Sequence, residues 1–185
     1  WLALAVPPLV VIIAVHGLVL APAALVADRL ILAEQLAALV TAIAAAAAHA
    51  RDVLRLDRIL IVDFDVHHGN GTQEMFYEDD RVGFLSIHRF PFYPGTGRAE
   101  ETGSGRGLGF TWNVPLPAET SPKNFHAAFE ATLEKAAAKT KPQIVLISAG
   151  FDAHREDPVG GLGLESDDFR RITRSVRQVA DTYSE

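Results

Sequence analysis

The chain has 185 residues, of which 49% are hydrophobic and 22% charged, a composition typical of one soluble globular domain. Its formal net charge is −6 and it carries no basic patch, which argues against direct binding of nucleic acid. It has no cysteine, which excludes disulfides and thiolate zinc sites and fits a cytoplasmic protein, or a nuclear one in a eukaryote.

The N-terminal region is apolar. No charged side chain occurs in residues 1–27, and the run 9–27 approaches the length of a membrane span. Three prolines within and beside this run break the pattern and no basic cluster flanks it, so we disfavour a membrane span. We expect Leu9–Val15 to form a buried strand. The alanine-rich stretch Asp28–Leu56 follows as a long helix.

Strands and helices alternate through the rest of the chain. The predicted elements, in order, are a strand at 58–62, a short helix at Gln73–Tyr77, strands at Val82–Ile87 and Phe110–Val114, a helix at Ser121–Lys139, a strand at Ile144–Ser148 and a helix at Ser166–Thr182. Ser121 is the predicted N-cap of its helix, with Pro122 in the first turn. The alternation predicts an α/β fold, with a parallel sheet covered by helices on both faces, in a single domain over residues 1–185.

Acidic and imidazole side chains directly follow the strand at 58–62. Because side chains alternate along a strand, Asp65 and His67 face the same way and can approach one cation together. Two glycines, Gly69 and Gly71, then let the chain turn away. The ends of strands are where sites in open α/β sheets usually lie.

A second strand also ends near an acidic residue, Asp152. If the two strands are neighbours, Asp65, His67 and Asp152 converge and leave coordination positions open, which is typical of a catalytic metal rather than a structural one. For either fragment alone, an ordinary loop explains the residues as well as a metal site does. The carboxylates would then form turns and the histidines would make hydrogen bonds within the loop. The two fragments together favour a metal site.

The chain from about Ala44 onward resembles the histone deacetylase and acetylpolyamine amidohydrolase superfamily, most of all its bacterial and class II-like members. Five blocks carry the resemblance: 63–73, 85–97, 101–105, 113–117 and 148–158. The first and last of them are highly specific. The resemblance implies an arginase/deacetylase-like fold that is incomplete here, with residues 1–43 aligning poorly.

The resemblance implies roles for individual residues. The implied ligands of one Zn²⁺ are Asp65, His67 and Asp152. The resemblance places Asp63, His68 and Asn70 next to those ligands, where they would support them without contacting the metal. The implied wall of the acyl-lysine channel is Tyr93, with Phe92 expected beside it. A structural K⁺, bound largely by backbone carbonyls, is implied near Asp63, Asp65, His67, Ser86 and Ile87.

Two catalytic groups of the superfamily have no counterpart that we recognise. Its tandem-histidine base should precede Asp63, where only the isolated His16 and His49 occur. Its catalytic tyrosine lies in a glycine-rich loop that we expect beyond the last residue, and Tyr183 stands in a helical context instead. The resemblance implies a zinc-dependent amidohydrolase that deacetylates acetyl-lysine, in histones or other proteins, or an acetylated polyamine. We expect this chain by itself to bind metal and to be weakly active or inactive.

Two alternatives remain open. A dimanganese ureohydrolase shares the fold but needs further aspartates, and Gly69 stands where the next one would be. A non-catalytic metal-binding scaffold is the other alternative. Among the remaining histidines, we expect His88 to pack or to form a loop hydrogen bond, and His126 to be solvated on its helix.

Overall fold

The computed structural model of the protein describes residues 9–15 and 42–183. Its elements in chain order are β1 (Leu9–Val15), α1 (42–52), β2 (Ile59–Asp63), α2 (Asn70–Phe76), β3 (Val82–Arg89), β4 (Thr111–Leu116), α3 (Pro122–Thr140), β5 (Ile144–Gly150) and α4 (Ser166–Tyr183). The five strands form one parallel sheet in the order β1-β5-β2-β3-β4.

Helices cover both faces of this sheet, as the sequence predicts. On one face, apolar side chains of β2, β3 and β5 pack with α3 and α4 in a core that includes Phe125, Phe129 and Ile172. On the other face, the alternate residues of the same strands pack with α1 and with Phe76 of α2. Because β2 and β5 are buried on both faces, they read in the sequence as continuous apolar runs rather than as alternating ones.

The sheet order places the ends of β2 and β5 side by side. Asp63 pairs with Ser148 of β5 on one side and with Ser86 of β3 on the other. The chain leaves β2 toward β3, while β5 lies on the opposite side of β2. Such a reversal of direction opens a crevice beyond the carboxyl ends of the strands, where ligands bind in this class of fold.

Most predicted element boundaries hold within a few residues. Leu9–Val15 is a strand, parallel to β5, whereas the predicted start of the first helix at Asp28 lies outside the described residues. Ser121 caps α3, since its Oγ accepts a hydrogen bond from the Asn124 amide at 3.3 Å. The strand β4 continues through Pro115 to Leu116, which an outermost strand tolerates because proline lacks only a backbone donor.

The prediction for His126 is wrong. Its side chain is buried, and its Nε2 lies 2.6 Å from a carboxylate oxygen of Asp168 on α4. The helix α4 packs across α3 and covers the face that carries His126, and the sequence of α3 alone does not reveal this contact. In the described part of the chain, no helix combines the length and the hydropathy needed to cross a membrane.

Candidate metal centre

Asp65, His67 and Asp152 lie together beyond the ends of β2 and β5. The Nδ1 atom of His67 lies 2.9 Å from an oxygen of Asp65 and 3.0 Å from an oxygen of Asp152. One ligand atom from each residue lies within 4.8 Å of the other two. A single divalent cation fits this arrangement, because two carboxylates and one imidazole are a common donor set that leaves coordination positions open.

Backbone hydrogen bonds orient the carboxylates of the cluster. The amide of His67 donates to Asp65 Oδ1 at 2.7 Å, and the amide of Val66 donates to Asp152 Oδ1 at 3.0 Å. The amide of Asp65 in turn donates to Asp63 Oδ1 at 3.1 Å. Asp63 is buried directly behind the cluster and thereby supports the loop from which Asp65 and His67 project.

Three glycines make room for two of the candidate ligands and for Asp63 beside them. A Cβ atom on Gly150 would lie 2.3 Å from Asp65 Oδ2 and 2.6 Å from the Asp65 Cα. A Cβ on Gly160 would lie 1.7 Å from the carbonyl oxygen of Asp152, and one on Gly69 would lie 2.6 Å from Asp63 Oδ2. The close approach of β2, β5 and the following loop therefore depends on the missing side chains at these positions.

The electrostatics of the cluster favour a bound cation. Burial raises the pKa of Asp65, and burial together with the charge of Asp65 raises the pKa of Asp63 well above its ordinary value. Burial alone would lower the pKa of His67, but its hydrogen bonds with Asp152 and Asp65 raise that pKa to about 10. A proton on His67 offsets one of the two carboxylate charges at neutral pH and leaves a net negative charge, and a metal ion has to displace that proton in order to bind His67.

Aromatic side chains from the loop after β3 flank His67. The ring of Phe92 is stacked on the imidazole, with centroids 5.0 Å apart and an interplanar angle of 19°. The ring of Tyr93 meets the same imidazole edge-on at 6.2 Å, and Tyr93 is 69% exposed. The two residues that we expect in a substrate channel thus contact a candidate metal ligand.

Comparison with known proteins identifies the family. A family profile described as "Histone deacetylase domain" matches residues 38–185. The chain belongs to the histone deacetylase family. It is 45% identical over 138 residues to a chloroplastic histone deacetylase 10 of Oryza sativa, which covers 75% of this chain and 31% of the relative. It is 43% identical over 127 residues to a probable deacetylase of Archaeoglobus fulgidus, covering 69% of this chain and 35% of the relative.

A solved histone deacetylase structure has the same fold. The crystal structure of the HDA15 HD domain superposes with a TM-score of 0.70 at 40% sequence identity, over 76% of this chain and 42% of that one. The parallel sheet described above is therefore the histone deacetylase fold. The chain spans about a third of the length of these two curated relatives.

In this member of the histone deacetylase family, the ring nitrogens of His68 bond to groups other than the candidate ligands. Its Nε2 lies 3.0 Å from Gln73 Oε1, and its Nδ1 lies 2.8 Å from the Thr96 hydroxyl. The side-chain amide of Gln73 donates to Glu101, whose carboxylate also accepts hydrogen bonds from the backbone of the loop after β3. His68 therefore joins this loop to α2.

The prediction of a loop hydrogen bond for His88 is confirmed. His88 is buried, and its Nε2 donates to the carbonyl of Gly97 at 2.9 Å while its Nδ1 accepts from the Ser86 hydroxyl at 2.9 Å. Burial lowers the pKa of His88 to about 4, so the ring is neutral. Its place between β3 and the loop fits a packing role in the deacetylase fold.

The remaining predicted residues divide into two groups. Asn70 is exposed at the start of α2, and within residues 42–183 its side chain forms no hydrogen bond to the three candidate ligands. Ser86 and Ile87 are fully buried in β3, beside the end of β2 that carries Asp63. The structure places Asp63, Ser86 and Ile87 on the neighbouring strands β2 and β3, with Asp65 and His67 in the loop after β2. Binding of K⁺ stays a prediction.

Gly150 and Arg89 are residues that sequence reasoning missed. Gly150 is the glycine that ends β5, and its position two residues before Asp152 was the available signal. The guanidinium carbon of Arg89 lies 4.3 Å from the centroid of the Phe92 ring. No local pattern marks Arg89, because its side-chain hydrogen bonds go to Val159 and Gly160, which lie in a distant loop.

Proposed function

We propose that this chain forms the metal-binding part of a zinc-dependent deacetylase. It would bind one Zn²⁺ through Asp65, His67 and Asp152 and act on acetyl-lysine of histones or other proteins, or on an acetylated polyamine. The observation that carries the proposal is the convergence of these three ligand atoms beyond two neighbouring strands, in a chain of the histone deacetylase family. Of the described residues, only this group has the spacing of a metal site, which favours one metal over a dimanganese centre.

The role of the metal in such a reaction is to polarise the acetyl carbonyl and to lower the pKa of water. Two carboxylate ligands offset the charge of a divalent ion and weaken both effects. Hydrolysis therefore relies on two further groups. A general base raises the rate on the order of 100- to 10,000-fold, and a hydrogen-bond donor to the developing oxyanion raises it on the order of 100- to 1,000-fold.

The histidines near the cluster are already engaged. The only adjacent histidines in the sequence are His67 and His68. His67 contacts the two carboxylates, and His68 is hydrogen-bonded through both ring nitrogens to Gln73 and Thr96. Neither is free to act as a base, so we expect the 185-residue polypeptide by itself to bind metal and to hydrolyse acetyl-lysine slowly.

The surroundings of the cluster support a lysine-like substrate. Phe92 and Tyr93 present aromatic surface beside His67, which suits the apolar stem of an acylated lysine or polyamine. The net charge of −6 favours cationic substrates. We further propose a structural K⁺ near Asp63, Asp65, His67, Ser86 and Ile87. We also propose a cytoplasmic or nuclear location, although the Oryza sativa relative is named chloroplastic.

Metal titration tests the proposal. The protein is freed of metal with a chelator, and Zn²⁺ binding is measured by calorimetry for the unsubstituted chain, for Asp152→Asn and for a control, Asp167→Asn. We expect one Zn²⁺ per chain and at least about 100-fold weaker binding for Asp152→Asn, because loss of a group that merely orients a ligand already costs about 10- to 100-fold. The exposed Asp167 lies on α4, outside the cluster, and its substitution should leave binding unchanged.

The outcomes separate the alternatives. Two metal ions per chain would favour the ureohydrolase, and no binding would contradict a metal site altogether. An acetyl-lysine reporter is assayed in parallel. Fast hydrolysis that Asp152→Asn abolishes would contradict the expected weakness of this polypeptide, and one bound metal with no hydrolysis at all would favour a non-catalytic scaffold.

A further inference from the structure

The Phe92 ring links the candidate ligand His67 to Arg89. His67 is stacked on Phe92 at 5.0 Å, and the guanidinium carbon of Arg89 lies 4.3 Å from the centroid of the same ring. Arg89 is the last residue of β3, and its amide donates to the carbonyl of Val66 at 2.9 Å, next to His67 in the chain. Both the backbone and the side chain of Arg89 therefore contact neighbours of His67.

The same guanidinium also reaches the loop that packs on Asp152. Its Nη1 donates to the carbonyl of Val159 at 2.9 Å and, at a longer 3.4 Å, to that of Gly160. The Asp157 carboxylate accepts hydrogen bonds from the amides of these two residues, at 2.8 and 2.9 Å. Gly160 packs so closely on the backbone of Asp152 that a Cβ there would overlap its carbonyl oxygen.

We propose that Arg89 is a positioning residue of the metal centre. It fixes the position of His67 relative to Asp152, through Phe92 on one side and the 157–161 loop on the other. The inference rests on the proposed function, because it takes Asp65, His67 and Asp152 as the metal ligands. A planar guanidinium suits this role, since it stacks on an aromatic ring and still presents donors at its edge. A lysine ammonium is a point charge without a planar face. It can still donate to the loop carbonyls, which Arg89 reaches through Nη1 alone, but it cannot stack on the ring at the same time.

Cobalt binding provides the test, because Co²⁺ reports the geometry of its ligands through its visible spectrum. The metal-free chain is titrated with Co²⁺ alone and compared with Arg89→Met, which keeps an apolar stem, and with Arg89→Lys. The matched control is Arg98→Met, because the Arg98 guanidinium carbon also lies over an aromatic ring, 5.8 Å from the centroid of Phe90, which does not stack on a candidate ligand.

We expect Arg89→Met to weaken Co²⁺ binding about 10-fold and to change the visible spectrum, as is usual when a group that orients a metal ligand is lost. Arg89→Lys should be intermediate, and Arg98→Met should match the unsubstituted chain. In a Phe92→Leu background, Arg89→Met should weaken binding less, since part of its effect passes through that ring.

A purely structural role for Arg89 predicts a different result. In that case Arg89→Met lowers the free energy of unfolding of the metal-free protein but leaves the Co²⁺ dissociation constant and spectrum of the folded protein unchanged, which would overturn the inference. Equal weakening in Arg98→Met would also overturn it. If Arg89→Met does not fold, Arg89→Lys decides by the same readouts. Failure of the unsubstituted chain to bind Co²⁺ would instead refute the proposed function, on which this inference rests.

Discussion

Substitution of Gly150 by alanine should disable the metal centre without a change in any ligand. Gly150 ends β5 and lies against Asp65, which follows the neighbouring strand β2. The added Cβ would lie 2.3 Å from Asp65 Oδ2 and 2.6 Å from the Asp65 Cα. A rotation of the Asp65 side chain relieves the first contact but not the second, because the second involves backbone.

The overlap sets the size of the effect. Carbon atoms in contact lie about 3.5 to 4.0 Å apart, so Asp65 has to move by about 1 Å. Metal ligands have to lie within about 0.2 Å of their preferred distances, and the shift exceeds that tolerance several-fold. We expect the Zn²⁺ affinity of Gly150→Ala to fall by about 100-fold or more, as for loss of the ligand itself. Overpacking should in addition lower the free energy of unfolding by about 1 to 3 kcal/mol.

Calorimetric Zn²⁺ titration and urea unfolding of the metal-free protein measure the two effects separately. Gly163→Ala is the control: Gly163 has φ +65° and no atom within 4 Å of its would-be Cβ, so its substitution costs about 1 to 2 kcal/mol of backbone strain. It should leave Zn²⁺ affinity unchanged. Wild-type affinity in Gly150→Ala would show that β2 and β5 do not approach as closely as described, and would refute the reasoning.

Two further predictions concern stability. The hydrogen bond from Arg81 lowers the pKa of Asp79 to about 2. The ionised Asp79 therefore stabilises the folded state fully above the unfolded-state pKa of about 3.9, and this stabilisation is lost as the pH falls toward 2. Asp79→Asn should cost about 1 kcal/mol at pH 7, given solvent screening, with the difference shrinking between pH 4 and 2 in urea unfolding; a pH-independent difference would contradict this. Asp168→Ala removes the hydrogen-bond acceptor for the buried His126 and for the amide of Glu165. It should lower the free energy of unfolding by about 2 kcal/mol and leave the Zn²⁺ affinity unchanged. An unchanged free energy of unfolding would contradict a stabilising role for the His126–Asp168 contact.

The order of the elements and half of the candidate site are predictable from local patterns. Apolar runs mark the strands, and Ser121 with Pro122 marks the start of α3. The sequence predicts that Asp65 and His67 share an orientation because side chains alternate along a strand. In the structure β2 ends at Asp63 and residues 65–67 form a bend, in which the His67 amide donates to Asp65 Oδ1. The two side chains still lie close together, with His67 Nδ1 2.9 Å from an oxygen of Asp65.

The other half depends on the order of strands in the sheet. Asp152 meets His67 because β5 inserts between β1 and β2, and strand order results from packing of the whole chain rather than from any local period. The burial of His126 beneath α4 and the contacts of Arg89 have the same origin. By itself the sequence determined the order of the strands and helices along the chain and which acidic and imidazole side chains follow each strand. Only the tertiary structure decided which of these side chains meet, because contacts between distant segments depend on the folded arrangement of the strands and helices.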